Sequence, residues 1–560
     1  MIRILRAQTL VILVSLALWN TSCNTITPKP KPKPKEVVKK PEDLNVTVPE
    51  NITAILSYAA ENNGVVDDSI RLIMQPLVDA WYQSRPANIR TWSEEKQWLP
   101  YADSLFQFIK QSELYGLFPS DYHYKQLQSI YSRMTSDSSA MLDAALWSRA
   151  DVMFTDAFMK MVKDLKYGRL GRDSITLRKD SVLTPEFCHD YLNEILSANN
   201  LTVMMDSLEP KLKGYVALKN AIPKFLDSMD RTVYTYVVYP FADSMKFINQ
   251  LQTRLFESSY ITFNTRPADS AEMAAAIKKL QIAKGLKPDG IAGPQIVKIL
   301  NDTDPERFKR IAINLDRYKL MADTLPTRYV WVNIPEFHMQ VWDTDSLIFD
   351  SRIVVGQPPT RTPLLTSEIS NFVTFPQWTV PYSIIFKEML PKIQKNVDFL
   401  AKENLMVVDK NDSIIDPHKV NWKKLNKNYF PYLLKQRQGD DNSLGIMKFN
   451  FRNKYSVYMH DTNARGLFGR SNRALSHGCV RVQQWQKLAK YLIRNDTLTY
   501  RPDTLQAWLK RQEKHTVVLS QKLPVYIRYF TCAGNNGHIV FYDDVYGEDK
   551  FLREKYFGTK

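Results

Sequence analysis

At Pro326 the periodicity of the chain changes, and no single fold class suits both sides. Before it, apolar residues recur at helical spacing. Met153, Ala157, Met161 and Leu165 fall four apart and form one apolar stripe, expected as a core seam, with a ligand groove as the competing reading. After it, 329–356 alternates apolar and polar residues in two runs separated by Asp343-Thr344-Asp345-Ser346, and 371–384 continues in that style. A chain of 560 residues has room for about three to four domains, so a multi-domain α+β protein is expected. Hydrophobic residues at 44% and charged residues at 24% exclude wholesale disorder and a polytopic membrane protein. Four cysteines cannot staple such a chain, so hydrophobic cores must hold it.

The first residues are processing material. Arg3 and Arg6 precede an apolar run, Leu10 to Trp19, too short to span a bilayer comfortably, and 1–22 reads as a signal peptide. Cys23, after Thr21-Ser22, resembles the lipid-modified cysteine of a bacterial lipoprotein, although Asn20 departs from the aliphatic residue usual there. An ordinary signal peptide with an incidental cysteine is the alternative. Residues 23–50 follow as a Pro/Lys tether, extended and self-repelling. Lys29, Lys31, Lys33, Lys35, Lys39 and Lys40 against Glu36 carry nearly a third of the net charge of +16. The basic balance therefore argues little for nucleic acid. An envelope protein in the periplasm, lipid-anchored to the inner or outer membrane, is expected.

Residues 51–263 read as a helical scaffold domain. Within 265–302, two short helical runs flank a turn containing Gly285 and Gly290. Ile277, Leu280, Gln281, Gly285, Leu286, Asp289, Gly290 and Gly293 resemble the helical peptidoglycan-binding module of wall enzymes; a small helical spacer without a groove is the alternative. Residues 326–545 read as a mostly-β catalytic domain. Its stretch 391–440, Lys-rich and punctuated by Asn and Asp, reads as an inserted lid.

Chemistry concentrates between Tyr458 and Arg481. A thiol needs a nearby base to become an efficient nucleophile. His460 ends a predicted strand, and Cys479 follows the tight Ser476-His477-Gly478. A helix expected over Gln484 to Leu492 would set Cys479 near a helix N-terminus, favouring thiolate, with the Gly478 and Cys479 amides available to an oxyanion. Tyr458, two residues before His460, shares its strand face and is expected to line the pocket. Arg465, Arg470, Arg473 and Arg481 surround the motif, with Asp461 the single acid between His460 and Arg481, a set suited to carboxylate recognition. Cys188 and Cys532 lack such context and fall in different predicted domains, so no disulfide between them is expected. His338 is expected to pack within a strand. Neither HExxH, paired CxxC nor GxxxxGK[ST] occurs, so no metal or cofactor is expected.

The segment 460–482, His then a spacer then Ser-His-Gly-Cys-Val-Arg, resembles the signature of the YkuD-type L,D-transpeptidase family. Asn442-Ser443-Leu444-Gly445, Lys448-Phe449, Pro376, Trp378, Val380-Pro381 and 387–391 widen the match. The N-terminal helices, with GLFPSDYH and DLKYGRL, resemble the scaffold of the large YcbB-type members. The resemblance implies Cys479 as nucleophile and His460 as base, oriented by the backbone carbonyl of Asp461. It implies that Ser476, His477, Gly478 and Arg481 shape the pocket, beside the substrate-binding Tyr458 and Arg473. The implied reaction takes peptidoglycan stem peptides, releases terminal D-Ala through a thioester and forms 3–3 crosslinks. Water as acceptor would give an L,D-carboxypeptidase, and a lipoprotein amine would give anchoring. A non-catalytic wall-binding scaffold and a cysteine peptidase of ordinary proteins are the rivals. Oligomeric state is left open.

Overall fold

The computed structural model describes residues 31–86, 90–180, 182–198, 200–496, 500 and 502–558. The expected signal peptide, Cys23 and the first residues of the tether lie outside these. The chain divides into two compact units, one of residues up to Leu99 with Lys125–Asp156, the other of Pro100–Tyr124 with Ala157–Lys560.

In the first unit, helix α1 (Leu44–Glu61) begins inside the segment expected as tether. Leu44, Val48, Ile52, Ile55 and Ala59 recur three to four apart and are all buried, so the amphipathic face starts before Asn51. Ahead of α1, Val38 N donates to Leu142 O and Glu36 O accepts from Ala144 N, so this end of the tether is docked rather than solvated. Helix α2 (Ala144–Lys166) contributes 144–156 here. Met153 here, and Ala157, Met161 and Leu165 in the part of the helix that belongs to the second unit, are fully buried as expected of a core seam, but the helix is buried around nearly its whole circumference rather than along one stripe. Its polar side chains are hydrogen-bonded in compensation. Asp151 accepts from the Tyr82 hydroxyl (2.6 Å) and Trp92 N (3.0 Å), and Asp156 accepts from Met74 N (2.7 Å).

In the second unit, helices α3 (Lys213–Ser228) and, later in the chain, α7 (Asp304–Lys319) share a core in which Tyr215, Leu218 and Ile222 meet Phe308, Leu315 and Tyr318. The segment between them forms its own small core from α4 (Ser244–Glu257), α5 (Ser270–Ala283) and α6 (Pro294–Asn301). This module therefore begins near Val237 rather than at 265. Phe247, Leu251 and Leu255 of α4 need the faces of α5 and α6 to be buried, and the scaffold does not supply them. Within the module, Gln281 locks the 285–293 turn: its amide donates to Asp289 Oδ1 (2.7 Å) and accepts from Gly290 N (2.9 Å), where φ is +78°.

The C-terminal domain is a sheet that closes on itself. Its strands are β1 (Arg328–Asn333), β2 (His338–Asp343), β3 (Ser346–Gly356), β4 (Leu365–Thr374), then, past an insertion holding β5 to β8, β9 (Met447–Phe451), β10 (Met459–His460), β11 (Ala474–Ser476), β12 (Val480–Val482) and β13 (Thr516–Arg528). They lie in the order β11-β3-β12-β10-β9-β4-β13-β1-β2, and β2 also pairs with β3. The long β3 achieves this by pairing through Ser346–Arg352 with β2 and through Ile353–Val354 with β12. Val332, Met339, Ile353, Phe372, Phe449, Met459, Val480 and Val525 fill the interior. Helix α8 (Trp485–Ile493) buries Leu488 and Ala489 against the same core. The hairpin β14 (Cys532–Asn535) and β15 (His538–Phe541) packs on α3, and helix α9 (Glu548–Phe557) follows.

The insertion is an ordered subdomain with a sheet and core of its own. Strands β5 (Trp378–Thr379), β6 (Leu405–Val408), β7 (Ile414–Ile415) and β8 (Leu433–Gln436) form a sheet in the order β5-β8-β6-β7 over Ile384, Ile393, Val407, Trp422 and Leu434. It starts at Trp378, earlier than the expected 391, because Val380 and Ile384 belong to its core.

No helix among the described residues is long and apolar enough to cross a membrane. Cys188 and Cys532 are both buried and unbridged. Gly534 lies so close to α3 that a Cβ would sit 2.0 Å from Ala217 O. Gly534→Ala should therefore cost about 1–3 kcal/mol through overpacking, read as a lowered midpoint in thermal unfolding of the full chain.

Candidate active site

Strands β10 and β12 run parallel, with Met459 opposite Val480 and His460 opposite Arg481. Val480 N donates to Tyr458 O (3.1 Å), which carries the register back to Tyr458 beside Cys479. Because side chains alternate along a strand, Met459 and Val480 enter the interior while Tyr458, His460, Cys479 and Arg481 share the outer face. On the other flank β9 sets Lys448 opposite His460, and its ammonium stands 4.1 Å over the Tyr458 ring. The Tyr458 and His460 rings meet edge to face at 5.6 Å.

Electrostatics define the resting state. Burial pushes the Cys479 thiol up; the Tyr458 backbone amide and hydroxyl, which hydrogen-bond the sulfur, and the charges of Lys448 and Arg481 pull it back only in part. Burial, then the Arg481 charge, drives His460 down to about 3, against the favourable carbonyls of Asp461 and Leu444. His460 Nδ1 is buried and makes no hydrogen bond of normal geometry. Both shifts favour a thiol and a neutral imidazole at neutral pH, with His460 unprotonated. This differs from the helix-stabilised thiolate expected from sequence. Strand β12 stands between Cys479 and α8, so the helix N-terminus lies beyond reach of the sulfur.

The turn before Cys479 is held from within and from below. Ser476 Oγ donates to Cys479 O (2.6 Å) and accepts from Gly478 N (3.1 Å), so Ser476 is a clamp, and the Gly478 amide is already engaged rather than open to an oxyanion. Gly478 has φ +118°, a conformation that side chains rarely adopt. Beneath it, Thr362 Oγ1 donates to Gly478 O (2.8 Å) and Thr360 Oγ1 to Ser476 O (3.2 Å). His477 points away from this clamp and its Nε2 lies 2.6 Å from Glu388 in the inserted subdomain.

The arginines separate by role. Arg473, expected to bind substrate, is buried and donates to the backbone carbonyls of Ile353, Arg470 and Phe337, so it ties β3 to the β11 segment instead. Arg465 pairs with the buried Asp461 carboxylate at 2.7 Å, and that carboxylate also accepts from Ile446 N. Arg470 is exposed. Arg481 alone of the four stands on the face of the thiol, its Nε buried without a partner. His338 is half-buried with Nδ1 3.3 Å from Asp350. Among the described residues no group of three or more His, Cys, Asp or Glu is arranged to hold a metal ion.

Residues 327–506 match the family model of the L,D-transpeptidase catalytic domain, YkuD, and residues 76–222 match that of the Scaffold domain. The chain carries a YkuD L,D-transpeptidase catalytic domain. A Haemophilus influenzae protein named for L,D-transpeptidase activity is 34% identical over 251 residues, which are 43% of this chain and 48% of that one. The chain thus spans about half the length of that relative. Among solved structures, L,D-transpeptidases of Stackebrandtia nassauensis (16% identity, TM-score 0.14, covering 53% of this chain and 97% of that one) and Mycobacterium smegmatis (12%, TM-score 0.16, 36% and 58%) are similar. Likenesses this slight leave the geometry of the L,D-transpeptidase domain to be read from this chain.

Lys448, Trp378 and Glu388 belong to the stretches that widen the family resemblance, but their contacts are visible only in the fold. Lys448 faces His460 only through the β9–β10 register, which alternation along a single strand does not reveal. Trp378 hydrogen-bonds the Tyr458 side chain, and Glu388 meets His477, both from a subdomain distant in sequence.

The neutral resting pair gives a pH signature. Alkylation of Cys479 by iodoacetamide should rise with pH through and beyond neutrality, whereas a thiolate–imidazolium pair would give a plateau from about pH 5. Tyr458→Phe removes a hydrogen bond to the sulfur and should slow alkylation at pH 8 by about three- to tenfold, roughly half to one pKa unit.

Proposed function

We propose that the protein is a cell-wall L,D-transpeptidase whose nucleophile is Cys479 and whose base is His460. The observation that carries this reading is the single outer face shared by Tyr458, Cys479, His460, Arg481 and Lys448. A neutral imidazole beside a protonated thiol is suited to removing the proton as the sulfur attacks, so charge need not be stored in a buried site.

In the first half-reaction, Cys479 Sγ adds to the carbonyl of the amide joining the third stem residue to terminal D-Ala, and its proton passes to His460. Collapse breaks the C–N bond, the proton goes from His460 to the departing amine, and D-Ala leaves behind a thioester. In the second, the side-chain amine of a neighbouring stem's third residue attacks the thioester, His460 takes its proton, and the thiol is restored as a 3–3 crosslink forms. The cations of Arg481 and Lys448 are suited to negative charge on the tetrahedral intermediate or to a stem carboxylate. Water in the same position makes the enzyme a carboxypeptidase, and a lipoprotein amine makes it an anchoring enzyme. Export and lipid attachment at Cys23 would bring the chain to this substrate in the cell envelope, with Ser476, Gly478 and Asp461 keeping the Cys479 turn and the His460 strand in place.

Incubation of the purified chain with disaccharide-tetrapeptide muropeptides, followed by mass spectrometry, tests the reading. A crosslinked dimer lighter than two substrates by one D-Ala is expected. Cys479→Ala should abolish it, and His460→Ala should lower the acylation rate by about 10²–10⁴-fold. Unchanged muropeptides, or full turnover by Cys479→Ala, would contradict it.

A further inference from the structure

A cavity of about 560 Å³ lies away from the catalytic face. Loop 170–175, the end of α7, the end of β13 and helix α9 enclose it, and its volume is in the range of small-molecule sites, about 300–1,000 Å³. Leu320, Leu364, Phe530 and Phe551 supply an apolar wall. Five basic side chains, Arg172, Arg317, Arg361, Arg528 and Lys555, line it against two acids, Asp173 and Glu548.

The basic groups are unusual in their partners. Arg528 is only 2% exposed, yet it donates to the carbonyls of Leu365 and Ile527, to Thr366 Oγ1 and to the Met321 sulfur, all neutral. A guanidinium has five N–H donors, so one on Nη2 remains. Burial lowers its pKa to about 10, and Tyr526 and the Asp173 carboxylate offset this only in part. Arg317 Nη1 lies 2.5 Å from Asp549, but its Nη2 is buried with no hydrogen-bond partner. Arg172 donates to the carbonyls of Arg178 and Lys179, and Arg361 to Pro358 O. Arg528, a buried cation satisfied by neutral acceptors, costs stability unless an anion joins it, and the unpartnered Arg317 Nη2 lies on the same cavity wall.

We propose that this cavity is a binding site for a small organic anion, its carboxylate received by Arg317 and Arg528 and its apolar body against Phe530 and Phe551. The wall residue Tyr546 donates to Gly356 O (2.6 Å) and accepts from Thr362 N (3.1 Å), and Thr362 in turn supports Gly478. The site therefore adjoins the support of the catalytic turn without sharing a residue with the catalytic face.

Isothermal titration of the full chain with 4-phenylbutyrate and with its uncharged amide tests the site. The acid should bind at least tenfold more tightly than the amide. Arg528→Met and Arg317→Met should each remove that preference. Glu548→Gln, which deletes a competing carboxylate and leaves every basic group in place, should tighten binding of the acid severalfold, so the assignment does not depend on the arginine variants folding. Equal binding of acid and amide, absence of saturable binding by either, or weaker binding of the acid to Glu548→Gln would overturn it.

Discussion

Two short strands, Met459–His460 and Val480–Val482, lie parallel with His460 opposite Arg481, and the face shared by Cys479 and His460 exists because of that register. A slip of one residue in either strand would turn its outer side chain, His460 or Cys479, into the apolar interior and bring Met459 or Val480 out. The register is held by burial of Met459 and Val480 within the closed sheet and by β9 on the far side of β10. The bend of β3, which pairs first with β2 and then with β12, completes the closure. Packing inside the sheet thereby fixes which side chains share the outer face.

The same face sets the protonation states. Burial acts on both members of the pair, raising the thiol and lowering the imidazole, and Arg481 and Lys448 push each in the direction of less positive charge. The two cations are therefore not redundant with a His460 imidazolium; they replace it as the positive charge near the sulfur. Tyr458 contributes backbone and hydroxyl to the sulfur, its ring lies under Lys448 and its edge meets His460.

Much of this was legible in the amino-acid order. The change of period at Pro326 separates helical from β-rich architecture, and the His460–Cys479 motif marks the L,D-transpeptidase domain. Boundaries were less legible. Helix α1 starts before Asn51 and the α4–α6 module before 265, because which residues share a core depends on partners remote in sequence. The inserted subdomain was legible only as a Lys-rich lid without internal structure, since its strands are two to four residues long and its apolar residues show no sustained period. Arg473 and Arg481 look alike in sequence, eight residues apart beside one motif. Only the folded chain separates an arginine committed to three carbonyls from one that faces the thiol.

The account rests on a neutral His460 beside a protonated Cys479. Titration of the full chain with ¹⁵N-labelled histidine, followed by NMR at the His460 ring nitrogens, reads that state directly. Nitrogen shifts of a neutral imidazole are expected from pH 8 down to pH 5, because burial and Arg481 hold the ring pKa down to about 3. Shifts of a doubly protonated ring at pH 7, lost in Cys479→Ala, would show a resting thiolate–imidazolium pair and contradict it.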